Sequence, residues 1–167
     1  ILNSGYMVQM SLDGINYENI STMERSSNGL VYARLVDKSG NVGSDATYNV
    51  NNIDKDLPTA QISASAAETE ANISFNITAR DELSGIQRIE WHYKEASASS
   101  YNSDDETYTN MNGSIAGASS KNKNGILYLR PSTTYNIYAM VYDVAGNSGP
   151  SDVITCTTPN TIYVTLY

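Results

Sequence analysis

Histidine and cysteine are the side chains best suited to proton transfer and nucleophilic attack near neutral pH. This 167-residue sequence has one of each, His92 and Cys156. A hydrolytic triad needs a histidine held against a nucleophile. His92 stands instead between Glu90 and Lys94, in a stretch whose alternate positions are Ile89, Trp91 and Tyr93, so strand alternation turns it outward as a solvated residue. One cysteine and one histidine cannot make a thiol catalyst or a zinc set. Asp104, Asp105 and Glu106 adjoin one another near Ser-rich stretches, but acid–base work needs a cleft, and such charge runs are usually solvated. No Gly-rich phosphate loop occurs. The expectation is a protein with no catalytic residue.

Two other groups could bind rather than react. Tyr138 and Tyr142 point away from Tyr135 by alternation, and with Tyr101 and Tyr108 nearby in sequence they could line an exposed sheet. Such rings can stack on sugars or anchor a partner, although tyrosine is also common on solvated strand faces. Asp54, Asp56, Asp81, Glu82, Asp143 and Asn147 offer the oxygen ligands that calcium takes. Asp and Asn also favour turns by bonding to local backbone, and Lys55 or Arg80 could balance the charge. Both readings stay open for each group.

The elements that must position these residues read as all-β. Asn72 to Ala79 alternates, with Ile73, Phe75, Ile77 and Ala79 on one face; Arg88 to Lys94 does the same. Period-two alternation with one polar face indicates antiparallel sheets solvated on one side, and no segment has a helical period. Thirteen Tyr against one Phe and one Trp suit half-buried β surfaces. The expected core is Ile73, Phe75, Ile77, Ile89, Trp91, Tyr93, Leu129, Tyr135, Ile137 and Val141 in a seven-stranded, two-sheet sandwich. Cys156, in an apolar–polar run, reads as a small buried filler.

Val31 to Asn41 aligns without gaps with Ile137 to Asn147, both a strand running into D-x-x-G-N. A repeated supersecondary unit implies tandem domains. The polar stretch Asn51 to Thr59, broken by Pro58, is the natural linker. Residues 96–124 are polar and weakly patterned, and read as a surface insertion. Tyr6 to Tyr17 reads as a hairpin turning at Asp13-Gly14. Nothing upstream of it matches the second domain's first two strands, so the first domain looks incomplete, its missing strands removed or supplied by another chain.

Net charge is −8, with both parts acidic and no basic run. Nucleic acid and anionic membranes need clustered Lys and Arg, so both are poor partners. No apolar run reaches the ~20 residues of a membrane helix. The single cysteine excludes an intrachain disulfide, which favours a bacterial or viral module over a secreted animal one. The start at Ile1 reads as that of an excised fragment, which leaves targeting signals undetermined. Sequons at Asn19, Asn72, Asn76 and Asn112 carry little meaning in an Asn-rich chain.

Leu129-Arg130-Pro131-Ser132-Thr133-Thr134-Tyr135 fits L-x-P-x-T-x-Y, followed by alternating Ile137, Ala139 and Val141. Residues 58–159 thereby resemble fibronectin type III domains at their tyrosine corner, with the Trp displaced to the third strand. Residues 1–57, with S-L-D-G-x-x-Y, V-Y-x-R-x-x-D-x-x-G-N and I-D-x-x-x-P-T, resemble bacterial Ig-like repeats of surface proteins, secreted glycosidases and phage tails. The resemblance implies tandem immunoglobulin-like and fibronectin type III-like β-sandwiches. It divides the chain into the C-terminal part of an Ig-like domain (1–53), a linker (54–58), a sandwich (58–159) and a strand-forming tail or the start of a next module (160–167). It also implies an extracellular place, on a bacterial surface, secreted or on a virion tail. The expected role is a spacer or stalk, adhesive in some settings; the alternative is an accessory carbohydrate-binding module of a secreted glycoside hydrolase. Expected partners are neighbouring Ig-like modules and a glycan or a host or cell-surface protein. In such a sandwich the incoming chain, the B–C loop and the F–G loop meet at one end. That would gather the six oxygen-bearing residues at the joint as a calcium site, the one cofactor expected.

Overall fold

The structure, a computed structural model, describes residues 5–108 and 119–160; residues 1–4, 109–118 and 161–167, on which the expectation of a strand-forming tail falls, lie outside the described residues. The described residues form eleven strands and no helix, so among them no helix is long and apolar enough to cross a membrane. The chain divides into two compact units, Ile1–Asp54 and Lys55–Tyr167.

The first unit is a three-stranded antiparallel sheet of β1 (Met7–Ser11), β2 (Gly29–Val36) and β3 (Ala46–Val50), in that spatial order. The expected hairpin at Asp13-Gly14 reduces to a single bridge between Met10 and Glu18. The cause is Asp13, whose carboxylate accepts from the Ile15 and Asn16 backbone N–H groups, the Asn16 amide and the Ser11 hydroxyl. These bonds curl residues 11–16 into a local turn that competes with ladder pairing. β1 pairs with β2 instead, Met7 opposite Val36. Among the described residues of this unit, only Val36 and Ser11 are buried.

The second unit is a sandwich. One sheet orders β4 (Thr59–Ala66), β5 (Asn72–Asp81) and β8 (Ser119–Tyr128). The other orders β10 (Ser148–Pro150), β9 (Thr134–Asp143), β6 (Ile86–Glu95) and β7 (Asn102–Thr107), with β11 (Ile154–Thr157) also on β9. β10 and β11 lie along the same strand, opposite Met140–Tyr142 and Thr134–Ile137, and act as one edge strand broken after Pro150. Proline donates no ladder bond; just beyond it the Ser151 hydroxyl accepts from the Ala139 N–H at 2.9 Å and repairs the edge. Counted so, the sandwich has seven strands.

Its core is where alternation places it. Ile73, Phe75, Ile77, Ile89, Trp91, Tyr135, Ile137 and Val141 are buried, while Tyr93 and Leu129 pack half-buried against them. Leu127, rather than Leu129, is the buried residue of the returning strand. Trp91 packs on Phe75 with ring centroids 5.6 Å apart. The Arg130 N–H donates to the Tyr135 hydroxyl at 3.2 Å, the expected corner.

Residues 96–124 depart from the expected insertion. Asn102–Thr107 forms β7, paired along β6, and Ser119–Tyr128 forms β8, in unbroken register with β5 from Asp81↔Ser119 to Asn72↔Tyr128. The polar look of β8 misleads because both faces are polar for different reasons. Outward, Asn124 and Asn122 accept from Asn76 and Thr78 across the ladder. Inward, Lys121 and Lys123 reach over Tyr108 and Trp91, with ammonium-to-centroid distances of 5.1 and 4.9 Å. Long lysine stems cover apolar rings while the charge stays at the rim.

Candidate binding face and acidic loop end

The register of β6 against β9 sets Arg88 opposite Tyr142, Glu90 opposite Met140, His92 opposite Tyr138 and Lys94 opposite Asn136, all on the outer face. Cross-strand neighbours are close enough for rings and long side chains to touch. His92 and Tyr138 stack, centroids 4.5 Å apart and planes 7° apart, and Tyr101 meets Tyr138 edge-on at 5.0 Å. The Arg88 guanidinium lies 4.1 Å over Tyr142, and the Lys94 ammonium 4.9 Å over Tyr101. Glu90 ties the group together: it pairs with Arg88 at 2.8 Å, faces His92 Nε2 at 3.3 Å and accepts from the Tyr142 hydroxyl at 3.1 Å. Burial and the Tyr101 and Glu90 neighbours push the Tyr138 hydroxyl above its ordinary range; burial and Glu90 do the same for Tyr142.

Three of the four expected tyrosines therefore meet, and Tyr108 does not. It sits on the inward side, against the core and beneath Lys121, and burial with the nearby Glu106 carboxylate raises its hydroxyl. His92 is not the solvated residue alternation suggested: its side chain is 17% exposed, because two tyrosines cover it. Among the described residues no serine, threonine or cysteine hydrogen-bonds to it, so its geometry offers no activated nucleophile. Asp104 and Asp105 are exposed on β7, and Glu106 pairs with Lys123 at 2.5 Å, which lowers its pKa. Cys156 is half-buried against the core, its thiol pushed up by burial, and so poorly reactive. Across the outer face of the other sheet, a depression of about 580 Å³ is lined by Ser63, Ser65, Ser74, Asn76, Asn124 and Ile126 among others, with no titratable group.

Of the oxygen-bearing residues, Asp143 and Asn147 belong to the second D-x-x-G-N turn. The Asn147 backbone and amide nitrogens donate to the two Asp143 oxygens, each at 2.7 Å. In the first unit Asn41 makes the same bonds to Asp37 at 2.8 and 2.7 Å, and the fourth turn residue, Gly40 or Gly146, sits at φ +87° or +95°, where only glycine is unstrained. The repeat thus encodes one turn built twice. Asp143 is fully buried, whereas Asp37 is half-buried. Asp81, at the end of β5, is 2% exposed; its Oδ2 accepts from the Leu83 and Gly85 N–H groups at 3.1 and 2.5 Å. A carboxylate oxygen of Asp81 lies within 4.8 Å of one of Asp143. Glu82 is turned to Arg80 in an exposed ion pair at 2.7 Å. Asp54 closes the first unit half-buried, and Asp56 is exposed.

Sequence reasoning missed Arg88, Glu90 and Lys94 as partners of the tyrosines. The signal was the R-x-E-x-H-x-K spacing of β6, but its meaning depends on a cross-strand register that a single strand does not carry.

No family model and no curated protein matches the sequence. Among solved structures the chain is similar to the chicken CNTN1 FN1-FN3 domains, with 16% identity, a TM-score of 0.43, and coverage of 93% of this chain and 56% of that one. It is also similar to a cytokine receptor complex (11% identity, TM-score 0.40, 95% and 88% covered) and to a DUF3823 family protein from Bacteroides uniformis (10%, 0.40, 93% and 90%). The chain thus spans about half the length of the first of these.

Proposed function

We propose that this chain is a non-catalytic, extracellular structural module that acts as a spacer or stalk in a bacterial surface or phage tail protein, its partners being adjacent Ig-like modules. One observation carries the reading. On the four-stranded sheet, Tyr138 is stacked by His92, Tyr142 is capped by Arg88 and Tyr101 is approached by Lys94. A sugar platform needs free ring faces; each of these rings gives one face to a neighbouring side chain, a contact that clads and stiffens the sheet. The alternative, a carbohydrate-binding module, draws on the same residues and gains no separate support.

A glycan array probed with the full chain and with Tyr138→Ala tests this. Uniform absence of binding is expected; binding to any saccharide class that Tyr138→Ala removes would overturn the spacer reading. Flanking coding sequence should continue with further repeats, and a hydrolase domain directly adjoining would favour the accessory module.

A further inference from the structure

We infer that Asp81 and Asp143 hold a divalent cation, of the calcium class, at the loop end of the second unit. The two residues end β5 and β9 and so come from opposite sheets of the sandwich. Both are buried, at 2% and 0% exposure, with carboxylate oxygens within 4.8 Å. Their hydrogen bonds account for three of the four oxygens: both of Asp143 take Asn147, and Asp81 Oδ2 takes Leu83 and Gly85. Asp81 Oδ1 is buried and has no hydrogen-bond partner. The donors in these four bonds are all neutral amides, and among the described residues no salt bridge reaches either carboxylate; Arg80, next in sequence, is engaged by Glu82.

The turn motif does not explain this arrangement. Asp37 makes the same bonds to Asn41 while half-exposed, so the turn requires neither full burial nor a second carboxylate nearby. Two buried like charges and an orphan oxygen are costly unless a cation or a proton intervenes. All-oxygen donors without sulfur or imidazole select a hard cation. The two carboxylate oxygens lie within 4.8 Å of each other, close enough for one ion to take both, and the flexible shell of six to eight oxygens that calcium accepts suits ligands carried by two different strands. Backbone carbonyls and water complete the shell. Bound there, the ion would cross-link the two sheets at the end where the chain enters from the first unit.

The test uses the full chain, stripped with chelator and titrated with calcium chloride by calorimetry. Melting is followed in parallel by emission of Trp91, the one tryptophan. Saturable binding of one ion per chain, and a melting temperature that climbs as calcium exceeds its Kd, are expected. Asp81→Asn should abolish both effects, and should melt no lower than the wild type in chelator, since it removes a buried charge. Asp37→Asn should leave both unchanged. Identical wild-type melts with calcium and chelator, with no calorimetric heat, would overturn the inference. Binding that survives in Asp81→Asn would overturn it too, because the ion would then sit elsewhere.

Discussion

Replacing Tyr135 by Phe removes one oxygen from the start of β9 and leaves the ring in place. That ring is 4% exposed and packs in the core, while its hydroxyl accepts from the Arg130 N–H at 3.2 Å. A backbone–side-chain hydrogen bond contributes a net of about 0.5–1.5 kcal/mol, and 3.2 Å is at the long end of the normal range, so a loss of about 1 kcal/mol or slightly less is expected. Truncation to Ala also deletes the buried ring and should cost about 3–5 kcal/mol, as large aromatic truncations do. Trp91 is buried in the second unit, so its emission in a urea titration reads that unit alone. Tyr135→Phe should lower the midpoint with an unchanged m-value, and Tyr135→Ala should lower it several times further. An unshifted Phe variant would show that the corner bond contributes nothing. A Phe variant as damaged as the Ala variant would refute the separation of hydroxyl from ring.

Trp91→Ala, which empties the space between Phe75 and Lys123, should destabilise the second unit by about 3–5 kcal/mol, read by circular dichroism in urea. Gly149→Ala would set a Cβ 1.9 Å from the Pro58 carbonyl oxygen; forcing backbone apart should cost about 1–3 kcal/mol, and a melting temperature equal to wild type would contradict it. In the first unit, the Asn41 bonds hold Asp37 below its ordinary 3.8, and the Asn16 and Ile15 bonds hold Asp13 far below it. Both folded values lie under the unfolded ones, so their contribution is fully present above the unfolded pKa and fades as pH falls through the folded values. The Asn41 and Asn16 amide resonances should therefore titrate at a lower pH than that at which free aspartate is half protonated, and titration at that ordinary value would refute the clamp.

Strands whose two faces differ in polarity were legible in the sequence. β5, β6 and β9 alternate, so Ile73, Trp91 and Val141 could be assigned inward before any coordinate, and the twin D-x-x-G-N turns announced matching bonds. β8 was not legible, because its inner positions are lysines whose burial lies in their stems, and its outer ones include Ile126 and Tyr128, at 53% and 79% exposure. Tyr108 was misplaced for a related reason: it stands just past β7, where parity depends on Glu106 turning in to Lys123. At the acidic end, the six residues chosen by type were unequal, since Glu82 found a cation in its neighbour Arg80 and Asp81 found backbone donors. Pattern names candidates; partners that are remote in sequence select among them.

The inverted dress of β8 leaves its alignment contested. Sliding it one residue along β5 would turn Ile126 and Tyr128 inward and both lysines out, an exchange that hydrophobicity alone would welcome. The lock against it is Gly125, which faces Phe75 so closely that a Cβ would fall 2.3 Å from a ring carbon. In the slid alignment Asn124 or Ile126 would have to occupy that gap, and the Asn76–Asn124 and Thr78–Asn122 ladder would come apart. The strand is thus frustrated in the sense of energy landscapes: local preference and final fold disagree, and one glycine arbitrates. Filling that position would do more than strain a ring. It would remove the steric cue by which the closing strand of this sheet tells its proper alignment from a neighbouring one.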